Sequence, residues 1–279
     1  MPGKRVIIVG MGFGGLSAAK ALCGKGFELC MVDRHNFHLF QPLLYQVATA
    51  GLEQEAIAYP LRAISRKWKN AEFLLAEIGS VDLENRFVLT RTGKIAYDYL
   101  IVAAGSRTNF FGMKSVEQHS FDLKRLDQAE DLRNQILLMF EKASQETDPK
   151  RRSALLTFVV VGGGPTGVEF SGALRELILY VLSKDHPNIS PDETRTMLVE
   201  AADSLLTAMP SDLREYACNK LRGMGVEVLL NTKVVDATAE TVALHDGTII
   251  NCHTLFWSAG VAAAGLASGL PGVELAGSG

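Results

Sequence analysis

Six glycines fall into two triplets of identical spacing. Gly10, Gly12 and Gly15 form one and Gly162, Gly164 and Gly167 the other, at a constant offset of 152 residues. In a GxGxxG pattern each glycine has a separate physical use. The first permits a tight turn from strand into helix. The second lets an anionic group approach the backbone where a Cβ would stand, and the third lets helix and strand pack closely. Phosphate then sits at a helix N-terminus, where free N–H groups and the positive end of the dipole attract it. Each copy also carries an acid at the end of a later apolar run: Asp33, 18 residues past Gly15, and Glu200, 33 past Gly167. An acid there accepts hydrogen bonds from ribose hydroxyls and repels a 2′-phosphate, so Glu200 favours NADH over NADPH. Two such sites imply two different dinucleotides, and hydride transfer from a nicotinamide to a flavin is the simplest reaction that joins them.

The elements that must position these residues recur in the same order. The apolar runs Val6–Val9 and Phe158–Val161 precede the glycines, and helical patterns follow at Leu16–Leu22 and Val168–Leu182. The second strands read Leu29–Asp33 and Met197–Glu200. A 15-residue insertion separates helix from strand in the second copy, and its polar, Pro-bearing stretch Ser183–Pro191 reads as a loop. Alternating segments then approach turn signals at Thr92-Gly93 and Asp246-Gly247. Apolar closing strands run into small residues at Tyr99–Gly105 and Thr254–Gly260. One GxGxxG is a weak signal, but two with matching strands, helices and acids are strong.

The chain has 279 residues, enough for two domains, with 47% hydrophobic and 21% charged residues and a net charge of −3. That balance excludes the basic footprint of a nucleic-acid binder. No apolar run reaches membrane-spanning length and the N-terminus has no signal-peptide core, so the expected compartment is the cytoplasm. Cys23, Cys30, Cys218 and Cys252 show no CxxC spacing and read as small hydrophobes in a reducing compartment. His35, His38, His119, His186, His245 and His253 are dispersed without metal-ligand spacing, so no metal is expected and the histidines read as solvated or satisfied. Asp127–Glu130 reads as a capping box opening a helix with a core stripe of Leu132, Ile136, Phe140 and Ala143. Lys150-Arg151-Arg152 reads as a solvated lead-in to a strand at Leu155.

Four segments, Asp33–Thr49, Ala103–Gly112, Val161–Phe170 and Trp257–Val261, carry a resemblance that extends over essentially the whole chain. The sequence resembles the type II, non-proton-pumping NADH:quinone dehydrogenases, a branch of the two-dinucleotide-binding flavoproteins. The resemblance implies an α/β fold of two Rossmann-like three-layer domains. An FAD domain would cover 1–113, with the start of a return at 261–279, and an NADH domain 114–260. It places FAD against Gly10, Gly12, Phe13, Gly14, Gly15, Asp33 and Arg34, with Ile78 at the adenine and Ala104 and Gly105 close by. The stretch Phe40–Thr49, including Gln41 and Pro42, would run beside the flavin. NADH would take Gly162, Gly163, Gly164, Thr166, Gly167 and Glu200, with Ala259 and Gly260 flanking the nicotinamide. Glu169 matches the family glutamate at the flavin–nicotinamide junction, where it would tune electrostatics or relay a proton. The implied acceptor is a quinone, and the implied location is peripheral to the inner face of a membrane. A homodimer is left open.

The family's returning segment, with its Gly-Asp motif and quinone-site residues, and its amphipathic membrane anchor have no counterpart in these residues. Leu270–Gly279 reads as a loop without its next strand. The expectation is therefore a truncated chain with weak FAD retention and impaired quinone reduction. Pyridine nucleotide–disulfide and sulfide:quinone reductases are the related alternatives. Both need cysteines near the flavin, and none lies between Cys30 and Cys218.

Overall fold

The computed structural model describes residues 3–270. They divide into two units: 3–40, 55–107 and 261–270 in the first, and 41–54 and 108–260 in the second. Residues 41–54 lie within the first stretch of the expected division but group with the second unit. The turn of backbone from first to second unit falls at 107/108, against 113 in the sequence reading. Residues 271–279 of the expected return lie outside the described residues.

In the first unit, four parallel strands lie in the order Ala71–Leu75, Glu28–Asp33, Arg5–Val9, Tyr99–Val102. Val9 is in register with Val32 on one side and Val102 on the other. Side chains alternate across the sheet. Val6, Ile8, Leu29, Met31 and Phe73 pack toward the helical side with Ala19 and Leu61. Ile7, Val9, Cys30 and Val32 pack with Val88 of a three-stranded antiparallel meander, Ile78–Asp82, Phe87–Thr90 and Gly93–Ala96. Both faces are covered, which is why the central strand is a continuous apolar run rather than an alternating one. The turn between the last two meander strands is Arg91-Thr92, and Gly93 is already paired with Thr90. The turn thus falls one residue before the expected Thr92-Gly93, and Gly93, with φ of +146°, opens the last strand.

The second unit repeats the plan. Its parallel strands run in the order Val226–Leu229, Arg195–Val199, Thr157–Val161, Thr254–Trp257. Its meander is Val234–Ala237, Thr241–Leu244 and Ile249–Asn251, with Val242, Leu244 and Ile250 packed on Val159, Val161, Met197 and Val199. On the other face Phe170 lies 4.5 Å from Phe256, ring to ring. The helix Leu126–Gln145 buries Leu132, Ile136, Phe140 and Ala143, the expected stripe. Its start differs from expectation. The Gln128 side-chain oxygen accepts from the Lys124 and Arg125 N–H groups at 2.9 Å, while Asp127 pairs with the Arg125 guanidinium. Gln128 is the residue three positions past the N-cap, where a capping acceptor reaches back.

Two further expectations are corrected. Lys150-Arg151-Arg152 belongs to a helix, Pro149–Leu155, capped by Asp148. Arg152 is a fastener there: it donates to Ala143 O, to Asn188 O and to Glu193. The planar five-donor guanidinium suits such a multiple grip. The insertion of the second copy is not loop from Ser183 onward. The helix Pro165–Leu177 continues through a π-helical stretch, Ile178–Leu182, into a turn at Ser183–Asp185. The rest of the insertion is anchored through Asn188 and Glu193, both held by Arg152.

Candidate functional site

The first glycine of each triplet makes the turn. Gly10 and Gly162 have φ of +90° and +108°, a region costly to residues with a Cβ. Their N–H groups donate to the second strand, at Val32 O and Val199 O, 2.8 and 2.9 Å away. A Cβ on Gly15 would lie 1.8 Å from Gly10 O, and one on Gly167 1.9 Å from Gly162 O. These third glycines are fixed by helix–strand contact. The middle glycines differ: a Cβ at Gly12 or Gly164 would meet no described atom within 4 Å. Packing does not require glycine there, and approach of a ligand to the backbone does. Both are extended and precede helices, Phe13–Leu22 and Pro165–Leu177. The first-turn N–H groups of those helices lack intrahelical partners. The residues present thus fit a pyrophosphate in each cradle.

In the first unit a concavity of about 370 Å³ gathers Gly10, Asp33, Arg34, Ile78 and Ala104. Five of the residues expected at FAD therefore line one space. Phe13 is exposed and stands edge-on to His38 and Phe40, with ring centres 5.2 and 5.4 Å away. Gly14 is exposed at the helix start, and Gly105, at φ of +76°, accepts from the Ala264 N–H. Asp33 takes one N–H on each oxygen, from Met11 at 2.6 Å and His35 at 2.8 Å. A carboxylate offers about four lone-pair sites, so both oxygens keep capacity for ribose hydroxyls. Arg34 is exposed beside it. Gln41 and Pro42 form a short turn, Gln41–Leu43, that groups with the second unit rather than with this concavity.

In the second unit Glu200 repeats the arrangement of Asp33. One oxygen accepts from the Gly163 N–H and the other from Ala202 N at 2.7 Å. Gly163 is buried, and a Cβ on it would meet Leu205 and Glu200 within 3 Å. It is therefore spoken for by packing and by the acid, whereas Gly164 and Thr166 are exposed. Ser258 Oγ donates to Val161 O and Gly162 O at 2.8 and 3.2 Å, tying the closing strand to the cradle. Ala259 follows, its N at 2.8 Å from a Cβ built on Gly162. Gly260 is exposed at φ of +76°, the same value as Gly105. Sequence reasoning missed Ser258, though its position matches Ala103 at the same distance from the glycine.

Glu169 lies one turn into the helix Pro165–Leu177. It faces an open groove of about 570 Å³ with Tyr45, Gln46 and Thr49 on one wall and Ala173 and Glu176 on the other. The helix N-terminus favours its charged form, but burial raises its carboxyl above the ordinary glutamate value. The four cysteines are free, and three are buried. Burial pushes the Cys30 and Cys252 thiols up to about 11 and about 12, so neither is a ready nucleophile. Among the described residues no helix is long and apolar enough to cross a membrane.

Comparison with known proteins gives concordant results. Residues 4–277 match the family described as pyridine nucleotide-disulphide oxidoreductase. The type II NADH:quinone oxidoreductase Ndh of Mycobacterium tuberculosis is 41% identical over 270 residues, covering 94% of this chain and 58% of that protein. NdhA of the same organism is 42% identical over 283 residues, covering 97% and 60%. The chain thus spans about three fifths of the length of these relatives. The solved structure of NDH2 from Plasmodium falciparum in complex with NADH aligns with a TM-score of 0.90 at 22% identity, over 95% of this chain and 57% of that one. At that identity the likeness speaks for the fold.

Proposed function

The chain belongs to the pyridine nucleotide-disulphide oxidoreductase family, and on that premise we propose that it binds FAD in the first cradle and NADH in the second and passes electrons to a quinone without pumping protons. The observation that carries this reading is the repeated cradle. Each has, at a helix start, a middle glycine that packing does not require, and beside it an acid whose oxygens each hold one backbone amide and keep capacity for ribose hydroxyls. The names of the relatives, NADH:quinone oxidoreductases, supply the donor and the acceptor. With FAD and NADH bound, the chemistry available is hydride transfer from nicotinamide to flavin.

The chain's own residues divide the work. The backbone around Gly12 and Gly164 takes the pyrophosphates, and Asp33 and Glu200 take ribose hydroxyls. Glu200 also disfavours a 2′-phosphate, since the added anion would face a carboxylate. Ile78 and Arg34 border the space for the adenosine end of FAD. Ala259 and Gly260 keep side-chain bulk away from the nicotinamide. Glu169, with its raised carboxyl, holds or releases a proton closer to neutral pH than an ordinary glutamate. Disulfide reduction is not proposed, because residues 31–217 contain no cysteine. A quinone acceptor is lipid-soluble, so this reading puts the reaction at a membrane surface, on its cytoplasmic face.

The test is NADH oxidation with a soluble quinone, with and without added FAD, alongside the flavin absorbance of the purified chain. NADH-dependent quinone reduction that rises on adding FAD is the expected result. Absence of flavin binding at saturating FAD, with no quinone reduction, would overturn the reading.

A further inference from the structure

The repeat extends one step beyond the glycines and acids. In each cradle the residue after the first glycine is held at both ends of its backbone. Met11 N–H donates to Asp33, and Met11 O lies 2.9 Å from His38 Nδ1. At the equivalent place, Gly163 N–H donates to Glu200, and Gly163 O accepts from the Leu206 N–H at 2.8 Å. A carbonyl only accepts, so the His38 contact requires the proton on Nδ1. A side chain in one unit and a main-chain amide in the other therefore meet the same carbonyl of the repeat.

What that carbonyl controls is set by peptide planarity. The C=O of Met11 and the N–H of Gly12 belong to one trans peptide and point in opposite directions. A donor fixed on the Met11 carbonyl thereby fixes the direction of the Gly12 N–H. Likewise Leu206 fixes the N–H of Gly164. Within the two triplets, Gly12 and Gly164 are the glycines whose Cβ positions open onto no described atom within 4 Å, and their amides border the cradle.

We propose that His38 is a positioning residue of the first cradle, which through the Met11 carbonyl sets the direction of the Gly12 N–H toward the FAD pyrophosphate. The proposal rests on the reading of the first cradle as the FAD site. The fold delivers His38 on a short strand, Phe37–Leu39, which pairs with Ala58–Pro60 and places His38 opposite Tyr59. Its ring also packs edge-on against Phe13, so two roles must be separated: ring packing and hydrogen-bond donation.

Two variants of the full chain separate them. His38→Phe keeps the ring and removes the donor; His38→Asn removes the ring and keeps an N–H near the place of Nδ1. FAD is titrated by flavin fluorescence, NADH by its own fluorescence, and amide hydrogen exchange is followed over residues 10–14 in the ligand-free protein. Loss of one neutral hydrogen bond corresponds to about three- to tenfold in an equilibrium constant. His38→Phe is expected to weaken FAD binding by that factor and speed exchange at Met11, with NADH binding unchanged. His38→Asn is expected to restore both to near the parent. The proposal is overturned if His38→Phe matches the parent, or if His38→Asn is as impaired as His38→Phe. If the parent does not bind FAD, the reading of the site fails. The exchange measurement then still decides whether His38 holds the loop, and unchanged exchange in His38→Phe overturns that as well.

Discussion

In the first cradle an imidazole meets the carbonyl behind the glycine loop; in the second a leucine amide does, from a residue with φ of +51°. The surrounding donors thus differ in kind, while the backbone they hold does not. Gly10 and Gly162 share a left-handed turn, Gly15 and Gly167 share a contact with a carbonyl, and both acids use both oxygens on backbone amides. The comparison separates what the geometry demands, which recurs residue for residue, from what merely has to be supplied, which each unit finds locally. After Asp33 a short strand pair brings in a side chain. After Glu200 a loop turns tightly enough to aim its own N–H.

The strongest way to break this comparison is at the third glycines. Gly15→Ala and Gly167→Ala each force a methyl into a carbonyl oxygen, and each is expected to destabilise its unit by about 3 kcal/mol or more. Thermal unfolding checks this, and unequal effects would show that the two contacts are not equivalent. Next come the acids. Asp33→Ala leaves the Met11 and His35 amides without their acceptor and is expected to cost ~1–3 kcal/mol, measured by urea unfolding. Removing the middle glycines should spare the fold and spoil the ligand instead. Gly12→Ala is expected to weaken FAD, and Gly164→Ala NADH, by about tenfold or more, ~1.4 kcal/mol, with melting temperatures unchanged. Isothermal titration with each nucleotide reads the crossover, and loss of both ligands in either variant would contradict the assignment.

Smaller effects sharpen it. Leu206→Gly keeps the amide and removes the left-handed strain, so stability is expected to stay within about 1 kcal/mol of the parent with NADH affinity retained. Weakened NADH binding would mean that the leucine side chain, not its amide, matters. Glu169→Gln is the mildest for stability. A carboxyl whose folded pKa is raised opposes folding fully while it is ionised in both states; that opposition shrinks as pH falls from the folded pKa toward the unfolded one and is gone below it. The variant should therefore be equal to or slightly more stable than the parent at pH 7 to 8, by under ~0.5 kcal/mol for so open a site. The difference should vanish in acid. In turnover the same variant should lower kcat while leaving the KM for NADH in place.

The sequence made the duplicated frame legible because glycine and terminal acids are dictated by backbone geometry, and such residues keep their spacing. Tyr99–Val102 and Thr254–Trp257 are indeed closing strands beside Arg5–Val9 and Thr157–Val161. What stayed hidden depends on partners far along the chain. His38, one of six scattered histidines, bonds a carbonyl 27 residues away, and nothing in its spacing marks that. Leucine is an unpromising residue for a positive φ, so Leu206 gave no turn signal. Arg152 sits in a short basic run that resembles solvated surface, yet its contacts reach 36 and 41 residues onward. Residues 41–54 carry an apolar pattern that suits any core, and composition does not say which unit they join.

Because the residue before each middle glycine is pinned at both its N–H and its C=O, a dinucleotide would meet a loop whose ordering is already complete. Association should then proceed at rates set by encounter rather than by rearrangement, with little conformational entropy lost on the protein side. Crystals soaked with either nucleotide should show these loops superimposing on their ligand-free traces.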